Sequence, residues 1–180
     1  AGPGLAVRVQ WLDPGGKPFL LVVGYTDPHR DWGNKVRYEG VKEVRYDPAK
    51  MVVPPFLPDT PECRQELAEY SQSVSRMDQG VGGVLDAIEK TGHADDTLII
   101  YLGDNGIPFP GAKTTLYEPG IHLPLLVSCP TQSKRGSVCN AMVSWVDIAP
   151  TILDWAGVKA PKPMAGRSFL GIIDRADPSG

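Results

Sequence analysis

The chain has 180 residues, of which 42% are hydrophobic and 22% charged, and its net charge is −3 at pH 7; that suits one domain with a core of its own. The acidic balance argues against a general nucleic-acid binder, which presents a basic face, and no apolar run approaches the roughly 20 residues of a membrane-crossing helix. Cys63, Cys129 and Cys139 leave at least one thiol unpaired, and three free thiols are favoured over a Cys129–Cys139 bridge.

Residues 1–17 are rich in Gly and Pro up to Asp13-Pro-Gly-Gly, a loop signal, and Arg8 to Leu12 read as the end of a helix. The N-terminus has neither an initiator Met nor the charged start and apolar stretch of a signal peptide, so the chain is expected to begin inside a longer protein. A buried strand is expected at 18–24, in Pro18-Phe-Leu-Leu-Val-Val-Gly. Residues 31–60 show no period and contain Pro54, Pro55 and Pro58; a loop that long is expected to be functional or a lid. Next comes a helix with Thr60 as its cap and Pro61 at its first position. Leu67, Tyr70, Val74, Met77, Val81, Leu85 and Ile88 form its apolar stripe, and Gly92 ends it. Gly82 and Gly83 weaken it by roughly 1 kcal/mol each relative to Ala and are expected to permit close packing.

A second strand is expected at 97–102, completing a strand–helix–strand unit with a right-handed crossover. A third follows at 123–128, where Pro124 sits near the start, and a fourth at 141–146. A short helix spans 147–156, capped by Asp147 and ended by Gly157. From Lys159 the tail is punctuated by Pro and Gly around one apolar patch, Phe169 to Ile173. The pattern is that of an α/β domain.

Two of the expected strands end abruptly in polar residues. Thr97-Leu-Ile-Ile-Tyr-Leu runs into Gly103-Asp-Asn-Gly, and the first strand runs into Asp27-Pro-His-Arg. Ligands of open α/β sheets bind beyond the carboxyl ends of strands. Asp104 and Asn105 offer the hard oxygens that Ca²⁺ or Mg²⁺ prefers, or else they form a plain turn. His29 is either a proton donor to a leaving group or the solvated or capping histidine that a lone His more often is. Asp27 and Arg30 read as a local ion pair of little energetic worth. Lys113, in the loop Pro108-Phe-Pro-Gly-Ala-Lys, is either an electrostatic partner of a sulfuryl or phosphoryl oxygen or a solvent lysine. Glu118 and His122 read as supporting or structural groups. Cys63, in a first helical turn without a nearby histidine, is not expected to act as a nucleophile.

Taken in order, these segments resemble the sulfatase family of the alkaline-phosphatase superfamily, from about Lys17 to Leu170. The carriers are Pro18-Phe-Leu, Asp27-Pro-His-Arg, Pro54-Pro-Phe-Leu-Pro-Asp-Thr, Arg76-Met-Asp-Gln-Gly-Val-Gly, Gly103-Asp-Asn-Gly, Thr115-Leu-Tyr-Glu-Pro-Gly-Ile-His-Leu-Pro and Asp147-Ile-Ala-Pro-Thr-Ile-Leu-Asp. Asp104-Asn-Gly-Ile-Pro-Phe-Pro and Thr151-Ile-Leu-Asp-Trp are most similar to the N-sulfoglucosamine sulfohydrolase (heparan N-sulfatase) branch. The resemblance implies a three-layer αβα fold with a mostly parallel or mixed sheet, alkaline-phosphatase-like but incomplete. Residues 1–180 would be part of one catalytic domain, with 159–180 its tail or the start of the following region. It implies a Ca²⁺ held in part by Asp104 and Asn105, His29 as proton donor, Lys113 on a sulfate oxygen, and Arg30 and His122 as substrate contacts. The expected ligand is a sulfated carbohydrate or other sulfate ester, with no nucleic-acid or membrane partner. The expected location is exported: periplasmic, extracellular or lysosomal.

Three elements of that family are missing. No Cys/Ser-x-Pro-x-Arg occurs, the motif whose Cys or Ser becomes the formylglycine nucleophile, and the upstream Asp-Asp pair and Lys-x-His segment are absent too. The chain is therefore expected to carry half of an active site and to be inactive alone. Exposed sheet edges would make it poorly soluble or homo-oligomeric. Two other readings remain open. One is a phosphatase or phosphodiesterase of the same superfamily, which would need more histidines than His29, His93 and His122. The other is a truncated, non-catalytic glycan-binding protein.

Overall fold

A computed structural model describes residues 7–11, 18–30 and 45–174. The chain divides into two compact units, Ala1–Thr91 with Asp104–Leu123, and Gly92–Gly103 with Pro124–Gly180.

In the first unit, β1 (Val7–Trp11) pairs antiparallel with β2 (Leu21–Tyr25), with Val7 opposite Tyr25 and Trp11 opposite Leu21. Where a helix end was expected at Arg8–Leu12, residues 8–11 are strand. Val7-Arg-Val-Gln-Trp alternates apolar and polar residues, the period of two that a half-buried strand requires. Alternate residues of β2 are exposed, Val22 among them, so β2 is one-faced rather than buried throughout, as antiparallel ribbons allow.

The helix α1 (Pro61–Lys90) begins as its sequence predicts. The Cys63 N–H donates to the Thr60 hydroxyl at 3.2 Å, and Pro61 opens the first turn. Gly92 follows in the left-handed region, with φ +79°, where a residue without Cβ is favoured. The core gathers Leu57, Leu67 and Phe109, with Met51, Val53, Cys63, Tyr70 and Ile107 packed around them. The rings of Tyr70 and Phe109 meet edge to face, with centroids 5.6 Å apart, a geometry worth about 0.5–1.5 kcal/mol beyond area burial.

Three expectations for this region change. Residues 45–60 are a strap along α1, not a lid: Leu57 enters the core, and the Arg64 guanidinium donates to Met51 O at 2.8 Å and to the Asp59 carboxylate. The remainder of the expected loop, residues 31–44, lies outside the described residues. The apolar stripe of α1 is buried at Leu67 but 43% exposed at Leu85. A Cβ added at Gly82 or Gly83 would meet nothing within 4 Å, so these glycines serve no close packing among the described residues.

In the second unit, β3 (Ile99–Leu102) pairs antiparallel with β4 (Leu125–Ser128), with Ile99 opposite Ser128. Among the described residues each unit holds one antiparallel pair, β1 with β2 and β3 with β4; the expected crossover from β2 through α1 to β3 would run from one unit to the other. An apolar run marks a strand without naming its neighbour, and the handedness rule applies only to strands of one sheet.

The fourth strand expected at 141–146 is absent as well. Ser144 and Asp147 form a capping box, residues 145–147 make a 3-10 turn, and α3 (Ile148–Trp155) follows. The Asp147 carboxylate accepts from Arg167 N–H at 2.8 Å and Ser144 N–H at 2.9 Å. The Arg167 bond, then the Ser144 bond, hold its pKa below the ordinary value of 3.8. Thr151 is fully buried; its hydroxyl donates to Asp147 O at 2.6 Å and accepts from Phe169 N–H at 3.1 Å. The apolar patch expected near Phe169 therefore docks on α3. All three cysteines are free. Among the described residues, no helix is long and apolar enough to cross a membrane.

Candidate functional site

All the candidate site residues belong to the first unit, on two segments that α1 holds separately. The first segment follows β2. Asp27 is 5% exposed, and Arg76 grips it with two nitrogens, Nε to Oδ2 at 2.6 Å and Nη2 to Oδ1. The Ser73 hydroxyl donates to the same carboxylate at 3.1 Å, and Ser73 has no exposed surface. Arg30 pairs with Glu66. The local Asp27–Arg30 pair expected from sequence is thereby overturned: each charge is taken by an opposite charge on α1. Positions 66, 73 and 76 fall within one side of a helix of 3.6 residues per turn.

Between these anchors stands His29. Its backbone N–H donates to Thr26 O at 2.8 Å, and its Nδ1 lies 2.7 Å from Arg30 O. A carbonyl only accepts, so Nδ1 carries the hydrogen of this contact.

The second segment is the loop after β3. Lys113 N–H donates to Ile107 O at 3.1 Å, closing a tight loop whose Phe109 is a core residue and whose Ala112 is fully buried. This places Asp104, Asn105 and Lys113 on one loop with a buried base. A second turn presses against it. A Cβ on Gly106 would lie 2.3 Å from Pro119 O; one on Gly120 would lie 2.3 Å from Thr115 O and 2.6 Å from Ala112 O. Only glycine at both positions lets the Asp-Asn-Gly segment and the short helix α2 (Glu118–Ile121) nest together.

The charges on this loop are uncommitted. Asp104 is exposed, and neither its carboxylate nor the Lys113 ammonium makes a hydrogen bond or ion pair among the described residues. The Asn105 amide donates from Nδ2 to Gly106 O at 2.9 Å, which leaves Oδ1 as its accepting atom. His122 differs: its Nδ1 lies 2.7 Å from Glu118 Oε1, in an exposed pair. Arg30 and His122, both candidate substrate contacts, thus already have carboxylate partners.

For Ca²⁺, Asp104 and Asn105 supply two adjacent hard oxygens of the right chemistry, but the ion takes six to eight. Among the described residues, no group of three or more His, Cys, Asp or Glu stands together. The pair therefore fits part of a Ca²⁺ shell. An open groove of about 500 Å³ runs beside α1, lined by Leu57, Glu62, Glu66, Glu69 and Phe109 among others. Its three glutamates would repel an anion, and none of His29, Asp104 and Lys113 lines it.

Sequence reasoning missed Glu66, Ser73 and Arg76. A polar serine among apolar stripe positions and an arginine in Arg76-Met-Asp-Gln were the available signals, but helix patterning does not say which distant acid they meet.

A family profile described as Sulfatase matches residues 5–158. The chain is 40% identical over 185 residues to N-sulphoglucosamine sulphohydrolase of Homo sapiens, a match covering 88% of this chain and 37% of that protein. It is 33% identical to an ulvan-active sulfatase of Formosa agariphila, over 68% of this chain and 20% of the other. Among solved structures it is similar to BT4656 in complex with its substrate D-glucosamine-2-N,6-O-disulfate, with TM-score 0.58 and 30% identity, covering 68% of this chain and 26% of that one. It is equally similar in fold to the phosphonate monoester hydrolase of Silicibacter pomeroyi, with TM-score 0.58 and 32% identity, covering 74% of this chain and 28% of that one. The fold is thus alkaline-phosphatase-like and incomplete, as expected. The chain spans between a fifth and two fifths of the length of these relatives.

Proposed function

The chain belongs to the sulfatase family, and from that premise we propose that the full-length protein hydrolyses sulfate esters or sulfamates on a sulfated sugar. The observation that carries this reading is the loop from Asp104 to Lys113. A carboxylate and an amide oxygen suited to a hard cation, and an ammonium suited to an anion, share one loop with a buried base and are committed to nothing else among the described residues. The names of the relatives support a sulfated glucosamine as the substrate class.

In this reading Lys113 holds a sulfuryl oxygen and offsets its charge. His29, with Nδ1–H bonded to Arg30 O, delivers a proton from Nε2 to the departing oxygen or nitrogen. A Ca²⁺ held by Asp104, Asn105 and ligands outside this chain would stabilise negative charge on the sulfuryl group. The nucleophile, a formylglycine, would also lie outside these 180 residues. Arg30 and His122 reach substrate only by exchanging their glutamate partners. The location that goes with this activity is periplasmic, extracellular or lysosomal.

A second reading, phosphonate or phosphate ester hydrolysis, is kept by the equal fold similarity to the phosphonate monoester hydrolase. The two separate on the full-length protein by measuring inorganic sulfate released from N-sulfated and 6-O-sulfated glucosamine beside hydrolysis of a phosphonate monoester. Faster sulfate release is expected. Faster phosphonate hydrolysis would install the second reading, and turnover of neither would remove both.

A further inference from the structure

We propose that Arg76 is a positioning residue that sets the catalytic His29 through Asp27. The inference rests on the sulfatase reading and deepens it. Asp27 stands two residues before His29, and its carboxylate is almost wholly buried, with 4% of the side chain exposed against 15% for Arg76. Three donors from α1 converge on it: Arg76 Nε, Arg76 Nη2 and the Ser73 hydroxyl. A two-nitrogen guanidinium grip fixes the plane of the carboxylate as well as its distance. The turn closed by the His29 N–H on Thr26 O carries that restraint into the histidine backbone. On the other side, Arg30 is tied to Glu66 and its carbonyl takes the His29 Nδ1–H. His29 is therefore held between two anchors ten residues apart on one helix, about 15 Å along its axis at 1.5 Å per residue.

Stability alone gives little reason for this arrangement, since a buried ion pair is often no more stabilising than apolar residues of the same size. Orientation does, because misplacing a reacting group by 1 Å costs roughly 100-fold in rate. Lys lacks the fork and cannot restore the plane.

The test compares two substrates on the full-length protein. One is a sulfated sugar, whose leaving group needs a proton; the other is an aryl sulfate, whose acidic phenolate leaves without one. Arg76→Met is expected to lower kcat on the sugar about 100-fold, with KM and aryl sulfate turnover held within roughly threefold. Arg76→Lys should fall between. Because Arg76→Met strands a buried carboxylate, the paired variant Asp27→Asn/Arg76→Gln, with both charges removed, is measured beside it and should show the same selectivity for the sugar. Equal losses on both substrates in the folded variants, or no loss on the sugar, would overturn the positioning role. A wild type that releases sulfate from neither substrate would overturn the sulfatase reading first, and this assignment with it.

Discussion

Replacing His29 with Ala in the full-length protein will lower kcat on a sulfated sugar by about 10²- to 10⁴-fold, the range that a positioned general acid supplies. An alcohol or amine leaves a sulfuryl group poorly unless it is protonated as the bond breaks. In the proposed reading the Nδ1–H bond to Arg30 O orients the imidazole ring, and Nε2 is the atom that would deliver the proton. His29→Gln keeps a hydrogen-bond donor but no titratable proton and should be nearly as impaired. On an aryl sulfate both variants should retain most of their activity. Steady-state kinetics on the two substrates checks the result, and undiminished turnover of the sugar by His29→Ala would remove the acid role.

The second large effect belongs to a residue that touches no substrate. Gly120→Ala sets a methyl group 2.3 Å from Thr115 O and 2.6 Å from Ala112 O, inside van der Waals contact with fixed backbone. Ala112 is fully buried and Phe109 is core, so the loop cannot yield without opening the Leu57–Leu67–Phe109 cluster. Overpacking of this kind costs about 1–3 kcal/mol and more where backbone must shift. Gly106→Ala meets Pro119 O at 2.3 Å and should act alike. Either variant is expected to lower the unfolding midpoint and, where it still folds, to depress activity at least as far as a displaced Asp104 and Lys113 require. Chemical denaturation with a parallel rate measurement checks both. A Gly120→Ala protein of unchanged stability would show that the nested turns are not rigid.

Local chemistry was readable in the sequence, but strand partnership was not. Thr60-Pro61 and Gly92 bound α1 because caps act through neighbours in the chain. The same holds for Gly157, whose φ of +67° follows α3. Val7–Trp11 is a strand rather than the expected helix end, because its alternation takes β2 as partner, and the strand expected at 141–146 yields to a capping box that commits the chain to a helix. No local pattern distinguishes a parallel partner from an antiparallel one, and the partners seen among the described residues, β1 for β2 and β4 for β3, are both antiparallel.

At the site, Asp104, Asn105 and His29 stood out because polar residues end apolar runs, and Lys113 because it follows in the Pro/Gly loop after Asp104. That the Asp104 carboxylate and the Lys113 ammonium have no partner among the described residues, while Arg30 pairs with Glu66 and His122 with Glu118, are spatial facts that spacing does not encode. Arg76 was visible only as part of a family-like segment. Its partner lies 49 residues away, and only the fold joins them.

The central claim is that these residues form one side of a single sulfate-handling site. A crystal structure of the full-length protein grown with Ca²⁺ and a sulfated glucosamine tests it most directly. The account predicts a cation ligated by Asp104 and Asn105 oxygens at about 2.3–2.6 Å. It also predicts the sulfuryl group within about 3.2 Å of Lys113 Nζ, with His29 Nε2 at the same reach of the leaving atom. A substrate whose sulfuryl group is bound out of reach of His29 and Lys113, or a cation that leaves Asp104 and Asn105 unligated, would contradict it.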